Sequence, residues 1–228
     1  MIDIHTHVLP FVDDGSDGMD KTLTMLKSLA QSGVTDVVCT PHLRANFRAS
    51  KEELVKHFSL LKSEVESQNI PLSIYLGREL YVSKHYKENV VKFGATMPNE
   101  KYVLVEFDFG FECEITETVY ELSTAGYIPI VAHPERYDYM TFEDAVEVKN
   151  MGGLLQVNAD SVVASCFSKS RRFVDKLFRN GLVDFVASDI HYGRKNNLKK
   201  AQKHVSLKYG KDVADAVFNE NAKKIIEG

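Results

Sequence analysis

The sequence predicts an α/β protein whose parallel strands are joined by helices and close into a seven-stranded (β/α) barrel. Three observations lead to this prediction. Short apolar runs alternate with segments in which apolar residues recur at helical spacing. Glycines stand where several of those helical segments should end. Histidines and carboxylates follow almost every apolar run, and in a barrel such residues meet at one mouth.

Seven apolar runs are predicted to be strands, at residues 2–5, 36–40, 72–77, 102–106, 128–132, 154–158 and 183–188. Helices are predicted between them at residues 20–32, 51–68, 114–125, 142–151 and 170–180, and two more, about 198–208 and 212–226, close the chain. No linker or low-complexity tract interrupts this alternation. We therefore expect one domain that spans residues 1–228.

Composition excludes several classes of protein. Of the 228 residues, 44% are hydrophobic and 26% are charged, which is typical of a globular chain. A net charge of −4 is against a dedicated nucleic-acid binder. No apolar run is long enough to insert in a membrane, and we expect no signal peptide because the first residues already form strand-like sequence. Three cysteines without metal-type spacing indicate reduced thiols and a cytoplasmic location.

Residues with metal-binding or acid–base side chains follow six of the seven runs. In chain order these residues are His5, His7, Asp13, Asp14, His42, Glu79, Glu106, His133, Asp189 and His191. An open sheet would gather its site at one switch point, whereas a barrel gathers residues from nearly all strand ends. The distribution therefore favours the barrel.

The spacing of these residues points to metal binding. In His5-x-His7 and Asp189-x-His191, two residues on one strand face the same side. A single His-x-His pair is weak evidence, and an isolated Asp after a strand is often a helix cap. The joint pattern is stronger, because five of the eight histidines fall at strand ends. Imidazoles and carboxylates without a thiolate favour Mn, Fe or Zn.

Several short motifs together resemble one family of metalloenzymes. They are D-I-H-T-H at the N-terminus, then T-P-H, G-x-E, A-H-P-E-R and S-D-x-H. The chain resembles the polymerase-and-histidinol-phosphatase (PHP) superfamily over its whole length. Within it, the chain is most similar to the bacterial manganese-dependent protein-tyrosine phosphatases of capsule and exopolysaccharide operons. That resemblance implies a distorted seven-stranded barrel with three divalent metal ions, Mn foremost and Fe or Zn as alternatives.

The resemblance also implies a role for each site residue. The first metal would be held by His5, His7 and Asp189, and Glu79 would bridge it to the second metal. Glu106 and His133 would complete the second site. The third metal would be held by Asp14, His42 and His191. Arg136 and Arg194 would contact the substrate phosphate. The implied substrate is phosphotyrosine on an autophosphorylating tyrosine kinase of polysaccharide export, with no nucleic-acid partner and with the oligomeric state left open.

Charge and neighbouring side chains are consistent with such a substrate. Four carboxylates beside three divalent ions leave an excess of about two positive charges, which suits a phosphomonoester dianion. Aromatic and basic residues flank the motifs and could guide a phosphotyrosine ring or an acidic tyrosine-rich tail, although each alone is equally well explained as an ordinary loop residue: Phe11, Arg44, Phe47, Arg48, Tyr137 and Tyr192.

Three alternatives deserve comparison. Residues 166–172 have the C-x5-R spacing of cysteine-dependent tyrosine phosphatases, but they lack the glycines with which a backbone wraps a phosphate. A histidinol-phosphate phosphatase would use the same metal site with different loops. A non-catalytic PHP module that binds a partner is disfavoured because every ligand position is filled.

Overall fold

The computed structural model describes residues 1–227, and Gly228, the last residue of the predicted domain, lies outside them. Its strands are β1 (Ile2–Thr6), β2 (Asp36–Cys39), β3 (His42–Leu43), β4 (Ser73–Leu76), β5 (Glu79–Tyr81), β6 (Tyr102–Glu106), β7 (Ile128–Ala132), β8 (Leu154–Asn158) and β9 (Phe185–Ala187). All paired neighbours run parallel, in a sheet ordered β1-β2-β4 and a sheet ordered β3-β5-β6-β7-β8-β9. The predicted α/β class with parallel strands is confirmed.

The helices are α1 (Met19–Gln31), α2 (Lys51–Ser67), α3 (Tyr86–Phe93), α4 (Ile115–Thr124), α5 (Phe142–Asn150), α6 (Ala159–Val162), α7 (Lys169–Arg179), α8 (Leu198–Tyr209), α9 (Lys211–Asp215) and α10 (Asn221–Ile226). A 3₁₀ turn spans Pro134–Arg136, and a π-helical segment, Ala216–Glu220, joins α9 to α10. Within the described part of the chain, no helix is long and apolar enough to cross a membrane.

The strand count differs from the sequence prediction, since an additional short strand follows each of two predicted runs. The run at 36–40 ends at Cys39 and resumes as β3 after Pro41, which has no N–H to donate to a ladder. The run at 72–77 ends at Leu76 and is followed by β5 from Glu79. The predicted count of seven is therefore not confirmed, as nine strands are present among the described residues.

The edge of the first sheet meets the end of the second. Thr6 forms a parallel bridge with Ile190, just beyond β9. The backbone N–H of Asp189 donates to the carbonyl of His5 at 2.9 Å, and that of His7 donates to the carbonyl of Ile190 at 3.1 Å. These hydrogen bonds bring the histidines that follow β1 beside the residues that follow β9.

A small apolar core lies directly beneath the strand ends. Leu104, Ile130 and Phe185 are buried in it, together with Ala222 and Ile225 of α10. Because alternate residues of a strand share a face, Glu106 projects to the same side as Leu104, two residues further on. The polar residues at the carboxyl ends of the strands thus lie on top of packed apolar layers.

Candidate metal centre

All nine predicted metal ligands lie together at the carboxyl ends of the strands. They form four overlapping groups whose ligand atoms lie within 4.8 Å of one another: His7, Asp14, His42 and His191; His5, His7 and Asp189; His5, Glu79 and His133; His42, Glu79 and Glu106. Eight of the nine are buried, and Asp14 alone is exposed. The residues meet although they come from six separate segments of the chain.

Glu79 lies at the centre of the cluster. Its Oε1 is 3.2 Å from Nε2 of His5 and 3.3 Å from Nε2 of His133. Its Oε2 is 2.7 Å from Nδ1 of His42 and 3.4 Å from Nε2 of His7. One carboxylate therefore faces four imidazoles, which is the placement that a bridging ligand requires.

The groups overlap the ligand sets implied by the resemblance without coinciding with them. Nε2 of His42 faces Asp14 at 3.5 Å, in the implied third set, but its Nδ1 faces Glu79 and Glu106. His7 lies in two groups, since its Nε2 is also 3.4 Å from Oδ1 of Asp189.

Partners on the outer side of the imidazoles fix which ring nitrogen faces the cluster. Nδ1–H of His5 donates to Oε1 of Gln156 at 2.8 Å, and Nδ1–H of His7 donates to Oδ2 of Asp13 at 2.7 Å. Nδ1–H of His191 donates to a backbone carbonyl at 3.0 Å. Each pairing directs Nε2 inward, the nitrogen that is left to bind a metal ion once it has lost its proton.

Several buried atoms of the cluster have no hydrogen-bond partner among the described residues. They are Nδ1 of His42, Nδ1 of His133, Oε2 of Glu79 and Oε2 of Glu106. The 2.7 Å contact between His42 and Glu79 lacks hydrogen-bond geometry. Buried polar atoms left unpaired destabilise a protein, and cations coordinated by Glu79, Glu106 and His42 would satisfy the three that face one another. The donors are nitrogen and oxygen only, so the residues fit ions such as Mn, Fe or Zn.

The buried carboxyl groups of Glu79 and Glu106 have pKa values shifted in opposite directions. Burial, reinforced by the neighbouring Glu79, raises the pKa of Glu106 to about 8. Burial also acts to raise the pKa of Glu79, but His5 and His42 hold that pKa well below its usual range. The protein alone therefore keeps one carboxylate ionised and disfavours ionisation of the next.

Two ligand positions have unusual backbone conformations. His133 has φ 35° and Asp189 has φ 49°, both in the left-handed region that favours glycine. His133 directly follows β7, and Asp189 lies two residues beyond β9. The left-handed conformation changes the direction of each side chain from the one it would have if the strand continued. Such strain is typical of functional positions, and no sequence pattern announces it.

Arg136 and Arg194 lie at the open side of the cluster. Nη1 of Arg136 is 3.1 Å from Oδ2 of Asp189, and Nη1 of Arg194 is 3.8 Å from the same atom. Their side chains are 37% and 50% exposed. Asn158 Nδ2 donates to that oxygen as well, at 2.9 Å. Two guanidinium groups thus flank the cluster where a ligand would enter.

Sequence reasoning missed the residues that orient the ligands. Asp13 is the first residue of the sequence Asp-Asp-Gly at 13–15, but the resemblance implied a role as a metal ligand for Asp14 and no role for Asp13. Gln156 and Asn158 are two residues apart on β8, so their side chains point to the same face of the sheet. That spacing was the signal that both could face the cluster.

The expectation that Tyr137 guides a substrate ring is wrong. The residue is only 3% exposed, and its hydroxyl accepts a hydrogen bond from the backbone N–H of Phe107. Cys166 lies on an exposed segment between α6 and α7, so it follows a helix and not the buried strand of a phosphate loop.

Residues 1–227 match the family model described as capsular polysaccharide synthesis, CpsB/CapC. The chain belongs to the CpsB/CapC family. Among curated relatives, tyrosine-protein phosphatase CpsB of Streptococcus agalactiae serotype V is 32% identical over 239 residues, covering 100% of this chain and 98% of the relative. Tyrosine-protein phosphatase YwqE of Bacillus subtilis is 28% identical and covers 86% and 80%.

Two solved structures resemble this CpsB/CapC protein over most of its length. A structure from work on YwqE of Bacillus subtilis and CpsB of Streptococcus pneumoniae, described as unique metal-dependent tyrosine phosphatases, has a TM-score of 0.91 at 25% identity, covering 99% of this chain and 94% of the other. Histidinol phosphate phosphatase of Lactococcus lactis, with a TM-score of 0.56 at 15% identity and coverage of 90% and 93%, shares the fold.

Proposed function

We propose that this CpsB/CapC protein is a metal-dependent phosphomonoesterase that removes phosphate from phosphotyrosine. The observation that carries the proposal is a buried cluster of imidazoles and carboxylates with unpaired inward atoms, flanked by two part-exposed arginines. The names of the relatives support phosphotyrosine as the substrate. The substrate protein is a bacterial tyrosine kinase of polysaccharide export, and its dephosphorylation regulates capsular or extracellular polysaccharide synthesis.

The nine clustered residues hold three divalent ions, with Mn the expected metal. Ions bound by these residues would supply Lewis acidity and would lower the pKa of water. The chain's contribution is to hold the ligands in place, since Asp13 orients His7 and Gln156 orients His5. Glu79 raises the pKa of Glu106, and cations held between the two carboxylates would offset that repulsion.

Arg136 and Arg194 bind the phosphate group of the substrate. In the structure Asp189 accepts from Arg136, so the guanidinium is already directed at the mouth of the cluster. An entering phosphate dianion accepts hydrogen bonds from the N–H groups that remain exposed, and these contacts strengthen as charge develops on the equatorial oxygens.

The two sheets act as a single seven-position barrel in one domain. Strands β2 and β3 together occupy one position of the barrel, and β4 and β5 together occupy the next. The bridge between Thr6 and Ile190 joins β1, in the first position, to the segment after β9, in the last. The three cysteines are free thiols, which suits a cytoplasmic enzyme.

Substrate choice distinguishes this function from histidinol-phosphate hydrolysis. With Mn²⁺ added, the protein is expected to hydrolyse a phosphotyrosine peptide with a kcat/KM far above that for histidinol phosphate. His133→Ala is the control, because it removes a ligand and should abolish both reactions. Faster turnover of histidinol phosphate, or no turnover of the peptide, would contradict the proposal.

A further inference from the structure

Phe109 lies beside the phosphate-binding arginine in the connection between β6 and α4. The guanidinium carbon of Arg136 lies 4.3 Å from the centre of the Phe109 ring. The ring of His133 is 5.6 Å away and that of Tyr137 is 5.5 Å away. Phe109 is nevertheless 40% exposed. Part of an aromatic ring therefore remains open next to the entrance of the metal cluster.

The backbone of this connection is held in place by Asp108. Oδ1 of Asp108 accepts from the N–H groups of Gly110 and Phe111, at 2.7 and 3.0 Å. Its Oδ2 accepts from the hydroxyl of Tyr81 at 2.5 Å, and its backbone carbonyl accepts from the hydroxyl of Tyr139 at 2.7 Å. Four hydrogen bonds thus hold the backbone around Phe109 before any ligand arrives, and the ring itself packs against Arg136, His133 and Tyr137.

The chemistry of the ester places its substituent near Phe109. A phosphate bound by Arg136 lies within about 3 Å of the guanidinium, which itself packs on the Phe109 ring. In an aryl ester the substrate ring is joined directly to the ester oxygen, so an ester substituent on the Phe109 side brings the two rings within reach of the 4.5–7 Å at which aromatic pairs attract. In an alkyl ester that position holds an aliphatic chain.

We infer that Phe109 is a specificity-determining residue that contacts the aryl ring of the substrate and favours aryl over alkyl phosphomonoesters. This inference rests on the proposed function of the same site. One aromatic pair favours the aryl ligand by about fivefold in affinity. Exposure alone would not support the role, since single exposed apolar residues are common. The support comes from the contact with Arg136 and the fixed backbone.

Binding of two non-hydrolysable anions to the Mn-loaded full chain tests the inference. Phenylphosphonate carries a ring and methylphosphonate does not, and calorimetry gives the Kd of each. Wild type is expected to bind phenylphosphonate about fivefold more tightly, and Phe109→Ala should reduce that ratio to about one. Phe109→Tyr keeps a ring and should restore the preference. Phe111→Ala is the matched control, because Phe111 lies on the same connection, is 77% exposed, and should leave the ratio unchanged.

An unchanged ratio in Phe109→Ala would overturn the inference. Equal weakening of both phosphonates would also overturn it, because Phe109 would then act only through Arg136. If Phe109→Ala does not fold, Phe109→Leu replaces it in the same measurement. Hydrolysis of a phosphotyrosine peptide by wild type is measured in parallel. Its absence contradicts the proposed function, whereas hydrolysis with an unchanged phosphonate ratio contradicts only the role of Phe109.

Discussion

His133 and Arg136 lie three residues apart in H-P-E-R yet are expected to perform different tasks. His133 is buried against Glu79, whereas Arg136 is part-exposed and contacts the outer side of Asp189. Arg136→Ala should therefore slow phosphate-ester hydrolysis by roughly 10²-fold without changing metal content. His133→Ala should lose both activity and bound metal. Kinetics combined with elemental analysis separates the two, and metal loss from Arg136→Ala would contradict the phosphate role.

Glu106 offers a test on the metal-free protein. Its pKa is about 8 in the folded chain because of burial and Glu79, against an ordinary value near 4.5 in the unfolded chain. Between these values the folded state binds more protons than the unfolded state, so this group lowers stability as pH rises from about 5 to about 8. Glu106→Gln has no such proton to lose. After exhaustive chelation the variant should melt no lower than wild type, and its relative advantage should grow with pH.

Added Mn²⁺ should reverse that order, since wild type gains more from binding metal than a variant that lacks one ligand. Thermal melts at pH 5 and pH 8, with chelator and then with Mn²⁺, give the comparison. If chelated Glu106→Gln melts clearly below chelated wild type at pH 8, Glu106 stabilises the fold directly and is not a metal ligand.

The residues of the cluster were predictable from the sequence, but their exact pairing was not. A histidine or carboxylate after an apolar run is a local signal that marked ten residues, and the resemblance to the family selected from them the nine that meet in the structure. Which nitrogen of His42 faces which carboxylate depends on side-chain rotation, and φ 49° at Asp189 depends on long-range hydrogen bonds. Neither leaves a mark in the sequence.

At the scale of elements, the loop between β1 and α1 holds His7 through a close approach of Gly15. A Cβ at Gly15 would lie 2.1 Å from the carbonyl oxygen and 2.2 Å from the Cβ of His7. The Gly15 N–H also donates to Asp13, the residue that orients His7. Gly15→Ala should therefore displace His7, weaken metal binding and lower the melting temperature.

Gly18 in the same loop provides the control. A Cβ there would meet no atom within 4 Å, and its φ of −168° is extended backbone that any residue adopts. Gly18→Ala should change the free energy of unfolding by less than about 1 kcal/mol, the scale of one lost helix cap, with metal affinity unchanged. Equal metal affinity in both variants would show that Gly15 does not position His7.

Element boundaries were predicted to within one or two residues wherever the apolar spacing was regular, as in α1, α2, α5 and α7. The short strands β3 and β5 were not predicted, because they have only two and three residues and begin at His42 and Glu79 beyond the apolar runs. Helix α3 was missed too. Only Tyr86, Asn89 and Val90 of its eight residues are buried, so the segment has too few apolar residues at helical spacing to be predicted as a helix.

At the scale of the whole molecule, the fold brings negative charge together and relies on ligands to compensate it. Glu79, Glu106 and Asp189 are buried in one cluster among histidine side chains, and Arg136 and Arg194 contact that cluster from the outside. Cations that bind these carboxylates would stabilise the folded protein, so metal binding and the free energy of unfolding are linked. A phosphatase that used Cys166 would have no need of this arrangement.

Reconstitution of the chelated protein with Mn²⁺ tests this account most directly. Bound metal per chain and the rate of phosphotyrosine-peptide hydrolysis are measured on the same samples, for wild type and for Cys166→Ser. We expect negligible activity without metal, a rise in activity that follows occupancy up to three ions per chain, the number proposed for the nine clustered ligands, and identical curves for the two proteins. Full activity in the metal-free protein, or its loss in Cys166→Ser, would contradict the account.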